Sequence, residues 1–435
     1  MSQSADRARL DHARALASHL REALGLSVAI ELWDGSLVPP SSAPDGLRVA
    51  ITDPAALPRL VRRPGLATVV ELYAAGALDL RGGDFFDLAE QRPTVRSRDI
   101  RRRLKWGTVA RHVLPFLFGP AELKAQTSAE VDGGDAATRR SGSAKADIAF
   151  HYDVSNRFYQ LFLDPEMVYT CAYFTDWNND LATAQHDKLE MICRKLRLKP
   201  GDRLLDIGCG WGALISHAAE HYGVTALGVT LAEEQLALAR ERIAARGLSD
   251  RVRVELKDYR DLDGPFDKIS SIGMFEHVGI DNHAAYFKKV HALLAPGGLY
   301  LHHAITRKGK LSDTEFRKKR IEYKAMTRYI FPGGEVDHIG MTLRNLEAYR
   351  FEVHDVEAWR EHYGRTTELW ARNLMANREA AIAEVGEARY RIWLLYLCGV
   401  SLAFKRGTLQ IFQTLTSKRA KGPSGLPPTR ADLYR

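Results

Sequence analysis

Arg203-Leu204-Leu205-Asp206-Ile207-Gly208-Cys209-Gly210-Trp211-Gly212 is the stretch that decides the fold. Leu204, Leu205 and Ile207 make 203–207 a buried strand, the three glycines make a tight turn, and an apolar helix is predicted over 213–222. A strand, a glycine turn and a helix bring backbone N–H groups and a helix N-terminus to a ligand, which missing Cβ atoms allow to lie against the main chain. Alone, such a glycine pattern is weak. Asp206 just before the turn sharpens it. So does a second strand, 225–229, ending in Thr230 about 20 residues on, where nucleotide-binding folds carry a ribose-binding group.

Outward from this turn, strands and helices alternate: helix 232–246, strands 252–257 and 266–272, helix 284–294, strand 299–302. This predicts an α/β fold with a mostly parallel, doubly wound, Rossmann-like sheet. An amphipathic helix is predicted over 183–196. The basic insertion at 308–325, with Lys310, Arg317, Lys318, Lys319 and Arg320, reads as a helical lid over a substrate. Residues 341–416 read as mostly helical, and the Pro-rich basic tail 417–435 as poorly ordered. In front, a helix over 1–24 with strands over 27–33 and 47–53 makes a small α+β domain, 1–121, without a catalytic cluster. Residues 122–147 have flexible-linker composition, and the catalytic domain is placed at 148–435.

The chain has 435 residues, 45% hydrophobic and 27% charged, which is ordinary for a globular protein. No apolar run reaches the length of a spanning helix, and 392–404 is interrupted by Gly399 and Ser401. The polar N-terminus lacks a signal-peptide pattern, so a cytoplasmic protein is expected. Cys171, Cys193, Cys209 and Cys398 form no Cys-x-x-Cys pair, so neither zinc nor a disulfide framework is indicated. The net charge of +8 favours polyanions, either nucleic acid or an anionic membrane, and charge alone does not choose. Arg96, Arg98, Arg101, Arg102, Arg103 and Lys105 precede Trp106, Leu114, Phe116 and Leu117. That pattern suits an interfacial helix, and equally a solvated face leading to a packed end.

The run 206–212, with Gly228-Val229-Thr230-Leu231 and Glu234-Gln235 after it, resembles the S-adenosylmethionine (SAM) methyltransferases. More narrowly it resembles the cyclopropane-fatty-acyl-phospholipid synthase and mycolic acid cyclopropane synthase branch, over roughly 150–415. The resemblance implies SAM as cofactor. Asp206, Gly208, Cys209, Gly210, Trp211 and Gly212 would lie at its methionine end, and Tyr169 and Thr170 would close over it. Thr230, Leu231 and Gln235 would meet the ribose in place of the usual acidic residue, and Asp258 and Tyr259 the adenine. It further implies a bicarbonate site with Cys171, Glu276, His303 and Tyr363 as side-chain ligands and Ile305 contributing backbone. A thiol, a phenol and an imidazole N–H can donate to a small oxyanion, and Glu276 can accept the anion's own proton. Taken singly, a buried Cys171 is more often inert packing, Glu276 and His277 can cap a helix, and His302 reads as structural.

The expected reaction is methylene transfer from SAM to a cis double bond in a phospholipid acyl chain, giving a cyclopropane. It would take place at an anionic membrane, on the cytoplasmic face, with the N-terminal domain positioning the enzyme and a homodimer implied by the resemblance. Aromatics such as Tyr169, Tyr329, Phe331 and Trp370 read as a lipid tunnel or as core. One alternative keeps methyl transfer without ring closure, giving methyl-branched or methylene chains. Others are an RNA methyltransferase using the basic stretches and a non-catalytic lipid-binding protein.

Overall fold

The computed structural model describes residues 3–40, 43, 45–91, 99, 102–118, 122–123, 154–318 and 334–434. Most of the expected linker, the 150–153 segment, the later part of the lid with Tyr329 and Phe331, and Arg96, Arg98 and Arg101 lie outside these residues. Among the described residues, contacts group the N-terminal part with Gly386–Cys398 as one unit and the remainder as a second.

The first unit holds α1 (Gln3–Leu24), β1 (Ala29–Glu31), β2 (Leu37–Val38), β3 (Arg48–Ile51), α2 (Ala56–Arg62), α3 (Leu66–Ala74), β4 (Leu78–Arg81), α4 (Phe85–Glu90) and α5 (Trp106–Leu117). Its sheet runs β2-β1-β3-β4. Ala13 and Ala17 from α1, Leu72 from α3 and Phe116 from α5 pack together as its core. Outside that core α5 leaves Trp106 and Leu114 exposed, with Phe118 just beyond.

The second unit comprises α6 (Asn156–Gln160), α7 (Leu181–Leu196), β5 (Arg203–Ile207), α8 (Ala213–Tyr222), β6 (Thr225–Thr230), α9 (Glu233–Ala245), β7 (Val252–Leu256), β8 (Phe266–Ile272), α10 (His283–Leu293), β9 (Leu294–Arg307), α11 (Asp313–Phe316), α12 (Ile339–Ala348), β10 (Phe351–Ala358), α13 (Arg360–Ala376), α14 (Arg378–Val385) and β11 (Leu409–Lys418), together with the end of α15 (Glu387–Lys405). The seven strands run β10-β11-β9-β8-β5-β6-β7. The five from β9 to β7 are parallel, and β11 lies antiparallel between β9 and β10. Both faces are covered: Leu204 packs with Ile215 and Ala218, while Leu205 and Ile207 pack with Tyr286 and Phe287 on the other side. Alternate residues of one strand thus feed two cores, which is why β5 reads as a continuous apolar run.

β5 lies between β6 and β8, where the strand order reverses, and its glycine turn opens there, at the carboxyl ends where such sheets bind ligands. The turn needs glycine at 208, where φ is +81° and a Cβ would meet Met274 Cβ at 2.8 Å. On β6, a Cβ at Gly228 would strike Cys209 Sγ at 2.7 Å.

Residues 341–416 are mostly helical as expected, with β10 and most of β11 set between and after the helices. Two expectations need correction. The strand expected at 299–302 is the longer β9. The tail is not loose: Leu433 is buried, Arg430 pairs with Asp355 at 3.0 Å, and Asp432 with Arg197 at 3.2 Å. Of the expected helical lid, the described residues contain only the single turn α11.

Candidate active site

A cavity of about 500 Å³ opens at the carboxyl ends of β5, β6 and β8. Tyr169, Thr170, Asp206, Gly208, Cys209, Gly210, Trp211, Thr230, Leu231, Gln235, Asp258 and Tyr259 all line it. Gly212 does not line it: it is the N-cap of α8 and faces Ala239 and Ile243. Thr230 Oγ1 donates to Gln235 Oε1 at 2.7 Å, which leaves the amide N–H₂ as the pair's donor end. Trp211 is fixed by Nε1 donating to Asn156 Oδ1 at 2.7 Å. Asp258 is engaged by Arg260, through the backbone N–H at 2.9 Å and the guanidinium at 2.7 Å. Burial pushes this carboxyl up, but Arg260 outweighs that and holds it below its usual value.

Two groups not expected from the sequence hold the segment over this cavity. Gln185 Nε2 donates to the carbonyls of Val168 at 3.2 Å and Thr170 at 2.9 Å, and Lys188 Nζ donates to Thr170 Oγ1 at 2.8 Å. Thr170 in turn lies over Gly273, where a Cβ would meet its Cγ2 at 2.7 Å. Burial pulls Lys188 down to about 8, with Asp164, Cys171 and Asp206 opposing. Burial raises Asp206 to about 6 against a hydrogen bond from Ser270 Oγ at 2.7 Å and the Lys188 charge. A buried cation beside an acid, a backbone turn and a Thr–Gln pair fit a ligand with an amino-acid end and a ribose. His277 and Met274 also line the cavity.

The other five expected residues lie off this cavity lining but are joined to one another. The Trp359 carbonyl accepts the Tyr363 N–H at 3.1 Å and lies 3.9 Å from Cys171 Sγ. The Trp359 ring meets the His303 ring edge-on, centroids 5.2 Å apart. Ile305 follows two residues along β9, and its N–H donates to Glu276 Oε1 at 2.6 Å. Glu276 therefore does not cap a helix; it sits in the turn Phe275–His277 after β8. Its Oε2 and His303 Nε2 are both buried with no partner in the structure. Two such orphans cost free energy unless a further polar group satisfies them. A small oxyanion bearing one proton fits, taking an N–H from His303 and giving its own proton to Glu276.

Burial raises Glu276 to about 7, partly offset by Ile305. It drives His303 well down, helped by Lys188 and Lys195, so the imidazole is neutral. Burial likewise raises Cys171, leaving a thiol that can donate. Tyr363 is half-buried, its ring packed on Phe404 at 4.7 Å and Trp370 at 6.0 Å. Trp370 continues to Tyr169 at 5.0 Å, so a run of rings connects Tyr363 to the cavity lining. His302 Nδ1 meets Tyr300 Oη at 2.9 Å, and its Nε2 is likewise buried without a partner.

The family described as mycolic acid cyclopropane synthetase matches residues 139–414. A "Probable fatty acid methyltransferase" of Pseudomonas putida is 38% identical over 420 residues, 95% of this chain and 98% of the relative. A "Cyclopropane-fatty-acyl-phospholipid synthase" of Escherichia coli K12 is 38% identical over 269 residues, 62% of this chain and 66% of the relative. Among solved structures, mycolic acid cyclopropane synthase CmaA1 complexed with SAH and CTAB matches with a TM-score of 0.59 at 36% identity, covering 63% of this chain and 98% of that one.

Proposed function

The chain belongs to the mycolic acid cyclopropane synthetase family, and from that premise we propose that it is a SAM-dependent enzyme that cyclopropanates cis double bonds in phospholipid acyl chains at an anionic membrane surface. SAM supplies an electrophilic methyl group. The glycine turn would hold its methionine end, Thr230 and Gln235 its ribose, and the Gln185–Lys188 clamp would keep Tyr169 and Thr170 closed over it. The alkene π pair forms a bond to the methyl carbon as the carbon–sulfur bond breaks, leaving S-adenosylhomocysteine and a cation on the neighbouring chain carbon. The faces of Tyr169, Trp370 and Tyr363 suit that cation, and the same rings would keep out water that would trap it.

Ring closure needs one proton removed from the transferred methyl, whose electrons then form the second carbon–carbon bond. Bicarbonate bound at the second group of residues would supply that base. His303 Nε2, Cys171 and Tyr363 would hold its oxygens, and Glu276 Oε2 would take its proton. The observation that carries this reading is the pair of buried, unpartnered atoms, Glu276 Oε2 and His303 Nε2, in a site tied together by Trp359 and Ile305.

A second reading has its own support. The relative that spans 98% of its length here is named a fatty acid methyltransferase. Methyl transfer without ring closure, with the cation losing a proton from the neighbouring chain carbon or from the methyl itself, would give a methyl-branched alkene or a methylene chain. The test is to supply SAM with a trideuterated methyl and analyse the lipids by gas chromatography and mass spectrometry. Cyclopropanation is expected to retain two of the three deuterons in a ring that resists mild hydrogenation. Retention of all three, or a product that hydrogenates, would replace the first reading with the second.

A further inference from the structure

Three strands carry a row of polar side chains beside the proposed anion site. Glu357 on β10 is the register partner of Gln413 on β11, and Gln413 is the register partner of His303 on β9. Lys195, from the last turn of α7, sits over this row. Its Nζ donates to Gln413 Oε1 at 2.7 Å and is ion-paired with Glu357. Gln413 Nε2 lies 3.3 Å from His303 Nδ1. Lys195 is buried, and Gln413 and His303 are 1% exposed, so water does not compete for the Lys195–Gln413–His303 contacts, while Glu357 is partly exposed.

The chemistry of the donors gives the row a direction. An ammonium has three N–H donors and no acceptor, so the oxygen of the Gln413 amide must face Lys195. Its N–H₂ then faces His303. An amide N–H₂ only donates, so Nδ1 of His303 must accept. A neutral imidazole with an unprotonated Nδ1 carries its hydrogen on Nε2. Nε2 is the buried atom without a partner. Glu357 keeps the ammonium charged against the cost of burying it.

We propose that Gln413, oriented by the Lys195–Glu357 ion pair, is a positioning residue that holds His303 as the Nε2–H tautomer, so that His303 presents a donor and no lone pair to the oxyanion site. The opposite tautomer would aim a lone pair at the anion and repel it. This deepens the anion-site reading above, while the position of the proton can be measured independently of that reading.

The experiment labels the protein with ¹⁵N-histidine and records two-bond ¹H–¹⁵N correlations, with His303→Gln used to assign the His303 signals. The wild type is expected to show a neutral His303 with its hydrogen on Nε2. Gln413→Glu offers Nδ1 an acceptor in place of a donor, and its carboxylate can still pair with Lys195. It should move the hydrogen to Nδ1 or protonate both nitrogens. SAM binding by calorimetry should stay within about twofold, and the bicarbonate concentration for half-maximal product formation should rise about tenfold or more. A wild-type hydrogen on Nδ1 overturns the proposal and requires no variant to fold. So does a Gln413→Glu protein with an unchanged His303 pattern or unchanged bicarbonate dependence. Wild-type product formation indifferent to bicarbonate in degassed buffer would instead overturn the anion reading, with the spectrum still deciding the tautomer.

Discussion

At the scale of single residues, Glu276 carries the sharpest expectation. Glu276→Gln keeps the shape and the contact to Ile305 N–H through its amide oxygen, but replaces the unpartnered Oε2 with a donor. The loss of one charge-assisted contact should cost about 2–4 kcal/mol in the ring-closing transition state, or roughly 30- to 1000-fold in rate. SAM affinity, read by calorimetry, should be unchanged because Glu276 does not line the cofactor cavity. Wild-type ring formation by this variant would show that Oε2 has no part in the chemistry. The cavity-lining positions Gly208, Gly210 and Thr230 were legible because they follow strand ends at set spacing, whereas Gln235 came with the family resemblance. Lys188, Gln185 and Gln413 were not legible. A lysine and a glutamine on an amphipathic helix look like solvated positions until the helix is docked. Nothing local to Gln413 shows that His303, 110 residues earlier, stands opposite it.

At the scale of elements, α5 makes a membrane prediction. Trp106 is 62% exposed, Leu114 57% and Phe118 86%, with Arg102, Arg103 and Lys105 exposed immediately before them. Each basic side chain near an anionic bilayer contributes about 1 kcal/mol, screened by salt. Neutralising these three should weaken sedimentation with anionic vesicles by roughly two orders of magnitude. Trp106→Ala should weaken it further at high salt, where the apolar contribution persists. Binding insensitive to salt and to all four changes would make this face merely solvated. The alternating elements from β5 to β9 could be read directly from apolar periodicity. β10 and β11 could not. A register shift between Val353 and Asp355 breaks the two-residue period of β10. β11 is buried on both sides through 413–417, so it shows no alternation, and it follows the long apolar helix α15.

At the scale of the whole molecule, buried acids make stability depend on pH. Asp337 is 1% exposed; Thr342 Oγ1 donates to its Oδ2 at 2.7 Å, and His283 Nδ1 lies 3.9 Å away. Burial raises its pKa from 3.8 to about 7, and the Glu276 charge adds to this against the Thr342 hydrogen bond. A folded pKa above the unfolded one means that the protonated acid favours the folded state. Its contribution is complete below about 4 and is lost as pH rises through about 7, by at most roughly 4 kcal/mol. Asp337→Asn keeps an acceptor for Thr342 and has no proton to lose. Thermal unfolding at pH 5.5 and 8.5 should show the wild type losing more stability than the variant between the two, and parallel losses would remove Asp337 as the cause. A last consequence belongs to α7. Gln185 and Lys188 clamp the segment above the cofactor cavity, and Lys195, two turns further on, orients Gln413 against His303. One rod thus touches both the segment over the cofactor cavity and the row beside the proposed anion site. By linkage, whatever factor SAM imposes on anion affinity through this rod, the anion must impose on SAM. A shift in either affinity on adding the other ligand would thus read the same coupling free energy, and a zero shift in one requires a zero shift in the other.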